Sequence, residues 1–354
     1  MPLKITSWNV EHSAGLIGEN LDSVRLDRRR RVVQTLRDID PDILCLLEAP
    51  KGEGDIQAFS QDVLEGEWLP VMLRGADDDL GARDREYAIS GRQWIWFLVK
   101  PDLLPNCRLQ SPEVWQSFTG HSRWKVHYWG DVKPTWHDHY RHPQVLIMDL
   151  GDGNEIEFIG QHMKSKINRN PIERDPEGNI VGDYLETALK ARVKLATEAR
   201  DIRAYIDARF NQVAKPGIVV LGDANDGVGQ DYFERKYLFF DLISNLQGQV
   251  LKAERFFNHA LFDFPEHLRW TAKYRDPVLG IPASQNPLLI DHILMSQPLV
   301  AGDLSLVAQA GAGLVEHQAF DRANAGASSK RLTSDHRPIS LVLTEVETAI
   351  RPST

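Results

Sequence analysis

Six short stretches of this chain set a reactive side chain at the edge of an apolar run. Asn9 closes "LKITSWN", Glu48 closes "DILCLLE" and His162 closes "EIEFIGQH". Asp223 and Asn225 follow "IVVLG", Asp291 lies within "LLIDHILMS", and Asp335 and His336 stand side by side ahead of "RPISLVLTEV". Carboxylates are what a hard divalent cation takes as ligands. An Asp can also accept or orient a water's proton. A histidine kept cationic by an acid partner can donate hydrogen bonds to developing negative charge. Asp is a poor strand former, so its presence at these edges needs a reason. Polar groups at one end of several buried strands tend to meet at a common rim, where α/β sheets place their sites.

The elements that must carry these groups follow from periodicity. "LKITSWNV" predicts a strand. Leu21, Val24, Val32, Leu36 and Ile39 predict a helix over 21–39, which Pro41 stops. "DILCLLE" is a near-continuous apolar strand, the kind buried on both faces in a layered fold. "WIWFLVK" predicts another strand. "QVLIMDL" and "EIEFIGQHM" flank "GDGN" and predict a hairpin. Leu185, Leu189, Val193, Ala196, Ile202 and Ile206 stripe the clearest helix. "GIVVLGD", "LLIDHILMS" and "RPISLVLTEV" complete the strands. Residues 75–93 and 166–184 predict polar loops, and 226–286 gives few regular signals. No linker divides the chain, so one domain spanning 1–354, of mixed strands covered by helices, is expected.

Composition bounds the partners. The 354 residues are 42% hydrophobic and 26% charged, enough for a large core. A net charge of −9 argues against a protein that coats nucleic acid by charge alone. It still allows phosphate chemistry through recruited cations. Cys45 and Cys107 suggest no disulfide framework, so a reducing, cytoplasmic setting is expected. No leader pattern opens the sequence and no apolar run approaches membrane length. No membrane contact is therefore expected, and no protein partner is evident.

Taken together, "SWNV", "LLE", "HMKSK", "GDAND", "IDHILMS" and "SDHRP", in that order from Ile5 to Leu343, resemble the endonuclease/exonuclease/phosphatase superfamily, the group of pancreatic DNase and exonuclease III. The resemblance implies an α/β fold, a four-layer α/β/β/α sandwich of two mixed sheets packed face to face. It also implies a hydrolase of phosphoric esters that uses Mg²⁺ or Mn²⁺. By resemblance, Glu48 is the main metal carboxylate and Asp335 a second one, with Asn9 and Glu11 beside the metal. Asp223 resembles the residue that activates water, and Asn225 the neighbour that holds a phosphate oxygen. His336, oriented by Asp291, and His162 resemble the phosphate-facing histidines. Three departures stand out. Leu47 replaces a frequent Gln, Ala224 replaces a frequent Phe, and the acid that supports the first histidine in pancreatic DNase has no clear match to His162 here.

Arg141 matches an Arg-x-Pro that touches phosphate in nucleases of this group. Lys164 and Lys166 are further substrate-binding candidates, with a solvated loop as the competing reading. "RLDRRRR" reads as a solvated helix face. Trp115, Trp124, Trp129 and Trp136 are candidates for stacking on bases, against a core role. "HMKSK" and Arg141 favour a nuclease acting on DNA, and possibly on RNA as well. A phosphodiesterase or phosphatase of small organic or nucleotide esters is the alternative, and a non-catalytic binding module is the third.

Overall fold

The computed structural model describes residues 2–73, 84–87, 89, 91–115, 123–126, 133–139, 141–151, 153–328 and 331–346. Two sheets make its centre. The first runs through β1 (Leu3–Asn9), β2 (Ile43–Ala49), β3 (Leu69–Pro70) and β4 (Trp94–Val99). The second takes β5 (Cys107–Leu109), β6 (Gln144–Gly151), β7 (Asn154–His162), β8 (Gly217–Asp223), β9 (Asn258–His259) and β10 (Asp291–Met295). The chain then returns to the first sheet with β11 (Leu306–Val307), β12 (Gly313–Val315) and β13 (Ile339–Glu345). Strand order is β11-β13-β1-β2-β4-β3, with β12 also on β13, and β9-β10-β8-β7-β6-β5.

Each sheet is mixed around one parallel pair. β1 runs parallel to β2, and β7 parallel to β8. A parallel pair needs a crossover, and here each is a long helix: α1 (Ser23–Ile39) and α2 (Gly182–Gln212). The predicted helix over 21–39 begins at Ser23, because the Asp22 side chain caps it by accepting from Arg25 N. The GDGN hairpin forms as β6 and β7. The 166–184 segment is not wholly irregular, since Glu173–Arg174 pairs with Ile180–Val181.

The alternation of side chains assigns the layers. On β6, β7, β8 and β10, Leu146, Met148, Phe158, Val219, Leu221 and Ile293 point to the cluster shared with the first sheet. Their neighbours Val145, Ile147, Ile159, Ile218, Val220 and Leu294 point the other way, onto Leu195, Ala199, Ile202 and Ile206 of α2. On the far side, Val32, Val33 and Leu36 of α1 cover the first sheet. This is the α/β/β/α sandwich. The sheets approach closely at Gly160, where an added Cβ would lie 2.7 Å from Cys45 Sγ. Trp115 is a core residue, buried against Tyr205 at 4.9 Å between ring centres, so it offers no face for a base. Trp129 lies outside the described residues, as do the side chains of Trp124 and Trp136.

Gly222, just before Asp223, has φ +132°, and a Cβ there would sit 2.0 Å from the Gln161 carbonyl oxygen. Only glycine tolerates that conformation this close to a neighbouring strand. Gly222→Ala is expected to destabilise the fold by roughly 2–4 kcal/mol, read as a lowered urea midpoint.

Candidate active site

The two parallel pairs explain why the polar groups meet. Asn9 and Glu48 leave the C-terminal ends of β1 and β2, and His162 and Asp223 leave those of β7 and β8. Asp291 opens antiparallel β10 directly opposite Asp223. Ser334 Oγ donates to the Asn9 carbonyl at 2.6 Å, and Trp8 Nε1 donates to the His336 carbonyl at 2.9 Å. These two bonds tie the Asp335-His336 turn to the end of β1. A break in register between Leu46 and Ala49 turns Glu48 out of the apolar run.

Glu11, His12, Glu48 and Asn225 all have left-handed backbones, with φ between 51° and 54°. For non-glycine residues this costs of order 1–2 kcal/mol each. The surroundings hold them in place. Asn225 N donates to Asp223 Oδ1 at 2.7 Å, and Asn225 Nδ2 donates to the Met163 carbonyl at 3.0 Å. Glu11 N donates to Asn9 Oδ1 at 3.1 Å, and His12 N to Glu48 Oε2 at 3.1 Å.

Asp223 lies at the centre and is 1% exposed. Its Oδ2 accepts from Asn9 Nδ2 at 3.2 Å, and lies 3.5 Å from His162 Nε2 and 3.7 Å from His336 Nε2. Burial pushes its carboxyl up, His336 pulls it back, and repulsion from Asp291 adds to the rise; the result is about 7. His336 Nδ1 donates to Asp291 Oδ2 at 2.8 Å. Burial opposes charge on this ring, but the Asp291 and Asp223 carboxylates outweigh it and raise the histidine to about 10. His162 behaves in the opposite way. Burial, then the charges of Arg141 and His336, hold it well below the usual histidine range. His162 is therefore a neutral ring at pH 7, and its Nδ1 is buried with no hydrogen bond.

Glu11, Glu48 and Asp335 form a second acidic group at the same rim. Burial raises the Glu11 carboxyl, repulsion from Asp335 adds to the rise, Arg28 and His12 pull it back, and Glu48 contributes a weaker repulsion; the net direction is up. Mutual repulsion among hard oxygen donors is the chemistry that a small divalent cation relieves, and these carboxylates with Asn9 alongside are donors of that kind, though their oxygens do not all lie within 4.8 Å of one another. The Asp223–Asp291–His336 group does bring ligand atoms within 4.8 Å of one another. There, however, the His336 imidazolium already supplies the positive charge.

Four residues that the motifs did not single out complete the rim. Arg28 of α1 donates from Nη2 to the Val10 and Glu11 carbonyls, and from Nε to that of Thr333 at 2.9 Å. The arginine run is thus not one solvated face: Arg28 braces both site turns, and Arg31 Nη1 donates to the Ala323 carbonyl at 3.1 Å. Gln93 Nε2 donates to Glu48 Oε2, and Gln93 Oε1 accepts from Arg141 Nη1 at 3.3 Å. Tyr274 hydroxyl donates to Asp335 Oδ2 at 2.8 Å and lies 2.9 Å from His336 Nε2. Thr271 Oγ1 accepts from the Ile290 and Asp291 amides at 3.2 Å each. Of the three basic candidates, Arg141 stands close enough to depress both His162 and Lys164. Lys166 is drawn away: its ammonium pairs with Asp226, with Asp231 at 3.1 Å and with Glu234 at 3.7 Å. That commitment removes it from the phosphate-facing set.

Behind the site, the half-buried His259 and the buried His292 form a chain that fixes the loop after Asn225. Leu261 N donates to His259 Nδ1 at 3.1 Å, so His259 Nε2–H faces His292 Nδ1 at 2.9 Å and His292 Nε2–H donates to the Asp226 carbonyl at 2.8 Å. Both rings must be neutral for this relay. Burial, then repulsion between the two rings, drops His259 to about 3, and burial also lowers His292. Below pH 6.5 the unfolded chain takes up protons that the folded rings refuse. Their stabilisation is complete above 6.5 and is lost as pH falls toward 3, with a slope of up to about 1.4 kcal/mol per pH unit for each ring. Urea midpoints at pH 7 and pH 5 are expected to show this decline, and His259→Gln to flatten it.

The family model described as Endonuclease/Exonuclease/phosphatase family matches residues 6–336. No curated protein matches the chain. Among solved structures, truncated Caenorhabditis elegans TDP2 is similar at 14% identity, covering 97% of this chain and 98% of that one, with a TM-score of 0.48. D. rerio TDP2 complexed with single strand DNA product is 15% identical over 97% of this chain and 99% of that one, at 0.48. The endonuclease/exonuclease/phosphatase from Bacteroides vulgatus is 13% identical over 98% and 100%, at 0.49. The assignment rests on the family match, which runs from the first strand to the site histidine: this chain belongs to the endonuclease/exonuclease/phosphatase family.

Proposed function

We propose that this chain is a Mg²⁺- or Mn²⁺-dependent nuclease that hydrolyses phosphodiester bonds in DNA, with RNA as a secondary substrate. The observation that carries this reading is the buried Asp223, balanced near neutral pH between Asn9, the Asn225 amide and two histidines. A general base works best with its pKa near the working pH. In this reading Asp223 takes the proton of the attacking water. Asn9 and the Asn225 amide fix the direction of its carboxylate. His336, cationic through Asp291, donates from Nε2 to a phosphate oxygen once Tyr274 yields that position. Neutral His162 supplies a hydrogen bond without adding charge.

The cation fits Glu48, Asp335, Glu11 and Asn9, and when bound it would neutralise phosphate charge and favour the leaving oxygen. Arg141 and Lys164 sit beside His162 and form the basic edge on which a phosphate backbone can rest. No helix among the described residues is long and apolar enough to cross a membrane.

The test is cleavage of supercoiled plasmid with Mg²⁺ or Mn²⁺. Nicking that EDTA abolishes is the expected result. Intact plasmid, linear DNA and single strands, alongside turnover of a chromogenic phosphodiester, would move the substrate to small esters. Failure on every ester, together with failure to bind metal, would leave a binding module.

A further inference from the structure

A cleft of about 540 Å³ opens directly beside the site. Asn225 and Tyr274 line its mouth, and both belong to the rim already described. The 226–233 and 274–278 segments, the start of α2 and the stretch after His162 form its walls. Tyr232 and Tyr274 present half-buried rings, backed by the buried Tyr184 and Phe233, and Ile167 and Val228 stand at the edge, 73% and 69% exposed. Such a tyrosine face suits a flat ring, which stacks at about 1–3 kcal/mol per base.

Of the three cations lining the cleft, Lys166 and Arg192 are already paired, and Arg275 is exposed. Lys166 is paired as above, and Arg192 Nε donates to both Asp231 oxygens at 3.0–3.1 Å. Lys166 and Arg192 are therefore not placed to take a phosphate, which in this reading sits outside, at Asp223 and His336. Asp226 Oδ2 is buried there without a hydrogen bond and leaves an acceptor at the floor. An acceptor favours a ring whose edge carries N–H donors over a plain hydrocarbon ring. The volume is in the range of small-ligand sites and holds one ring system, not a duplex.

We propose that this cleft receives a single unpaired nucleobase of the nucleotide that bears the scissile phosphate. The inference rests on the phosphodiesterase reading above and narrows it, because a base seated here has left any duplex. An enzyme built this way prefers single strands, frayed ends or free nucleotide esters to paired DNA.

Binding to full-length Asp223→Asn protein with Mg²⁺ tests this, since the variant removes the base that drives turnover. Adenosine 5′-monophosphate and ribose 5-phosphate share phosphate and sugar and differ in the base. Calorimetry is expected to give the nucleotide at least tenfold tighter binding. Val228→Asp and Ile167→Asp change exposed side chains, so folding is preserved, and each is expected to erase most of that advantage while leaving ribose 5-phosphate unchanged. Equal affinity for the two ligands overturns the proposal, as does binding of neither, or a nucleotide advantage that survives both cleft substitutions. The plasmid assay separates the two readings. Nicking by wild type with no base preference in binding sinks the cleft alone, whereas inertness toward every phosphodiester sinks the function beneath it.

Discussion

Asp223→Asn is expected to lower kcat on a phosphodiester by roughly 10²–10⁴-fold with a much smaller change in melting temperature, since the relief of burying a carboxylate offsets the loss of one His336 partner. The two halves of this result have one cause. Burial raises the Asp223 carboxyl to about 7, so the fold opposes the charged form at pH 7 instead of being stabilised by it. The amide removes that cost, keeps the shape and still accepts from Asn225 N, but it cannot take a proton. A residue that served only to hold the site together would behave in the opposite way, losing stability and activity in step. The wild-type rate is expected to fall on the acid side as Asp223 protonates. A cation bound beside it moves that limb to lower pH and cannot move it higher. The measurements are kcat/KM against pH for wild type, and calorimetric melts of both proteins. Retention of more than a tenth of the rate would remove Asp223 from the role of base.

Much of this site was legible in the sequence because each group is tied to an element with a strong signal. Asn9, Glu48, His162 and Asp223 terminate apolar runs, and two parallel pairs with crossover helices must put such ends on the same side. The sandwich itself follows from strands apolar on both faces. What escaped notice lies where period and motif give no signal. Gln93 closes a polar stretch, and Tyr274 lies in a segment without regular repeats; both reach Glu48, Asp335 or His336 only through the fold. Arg28 was hidden among its neighbours. Successive helical arginines point about 100° apart, and composition cannot tell which of them meets the Val10, Glu11 and Thr333 carbonyls. Lys166 failed for the complementary reason: "HMKSK" looks basic until Asp226, Asp231 and Glu234 arrive from sixty residues further on to claim it.

Asp291→Asn is expected to act through His336, and pH is the variable that shows it. In the wild type the Asp291 carboxylate does most to hold His336 near 10, against a burial effect that pulls the other way. With an amide in its place, burial is opposed chiefly by Asp223, and the histidine drops toward its ordinary range near 6.5. At pH 8 the ring is then neutral and donates poorly to phosphate, so kcat is expected to fall about 10²-fold and to recover in part as pH is lowered toward 7, where the Asp223 acid limb sets in. Stability follows the same sign. The raised histidine stabilises the wild type in full below pH 6.5, and that contribution, several kcal/mol in size, is lost as pH rises through about 10. In the variant this alkaline decline is expected to shrink, with lower stability at pH 6 because a buried ion pair has lost one partner. Urea midpoints across pH 6–10, with the His336 ring titration followed by NMR, read both effects. An unchanged titration in the variant would show that Asp291 does not set the charge of His336, and would leave Asp223 alone to do so.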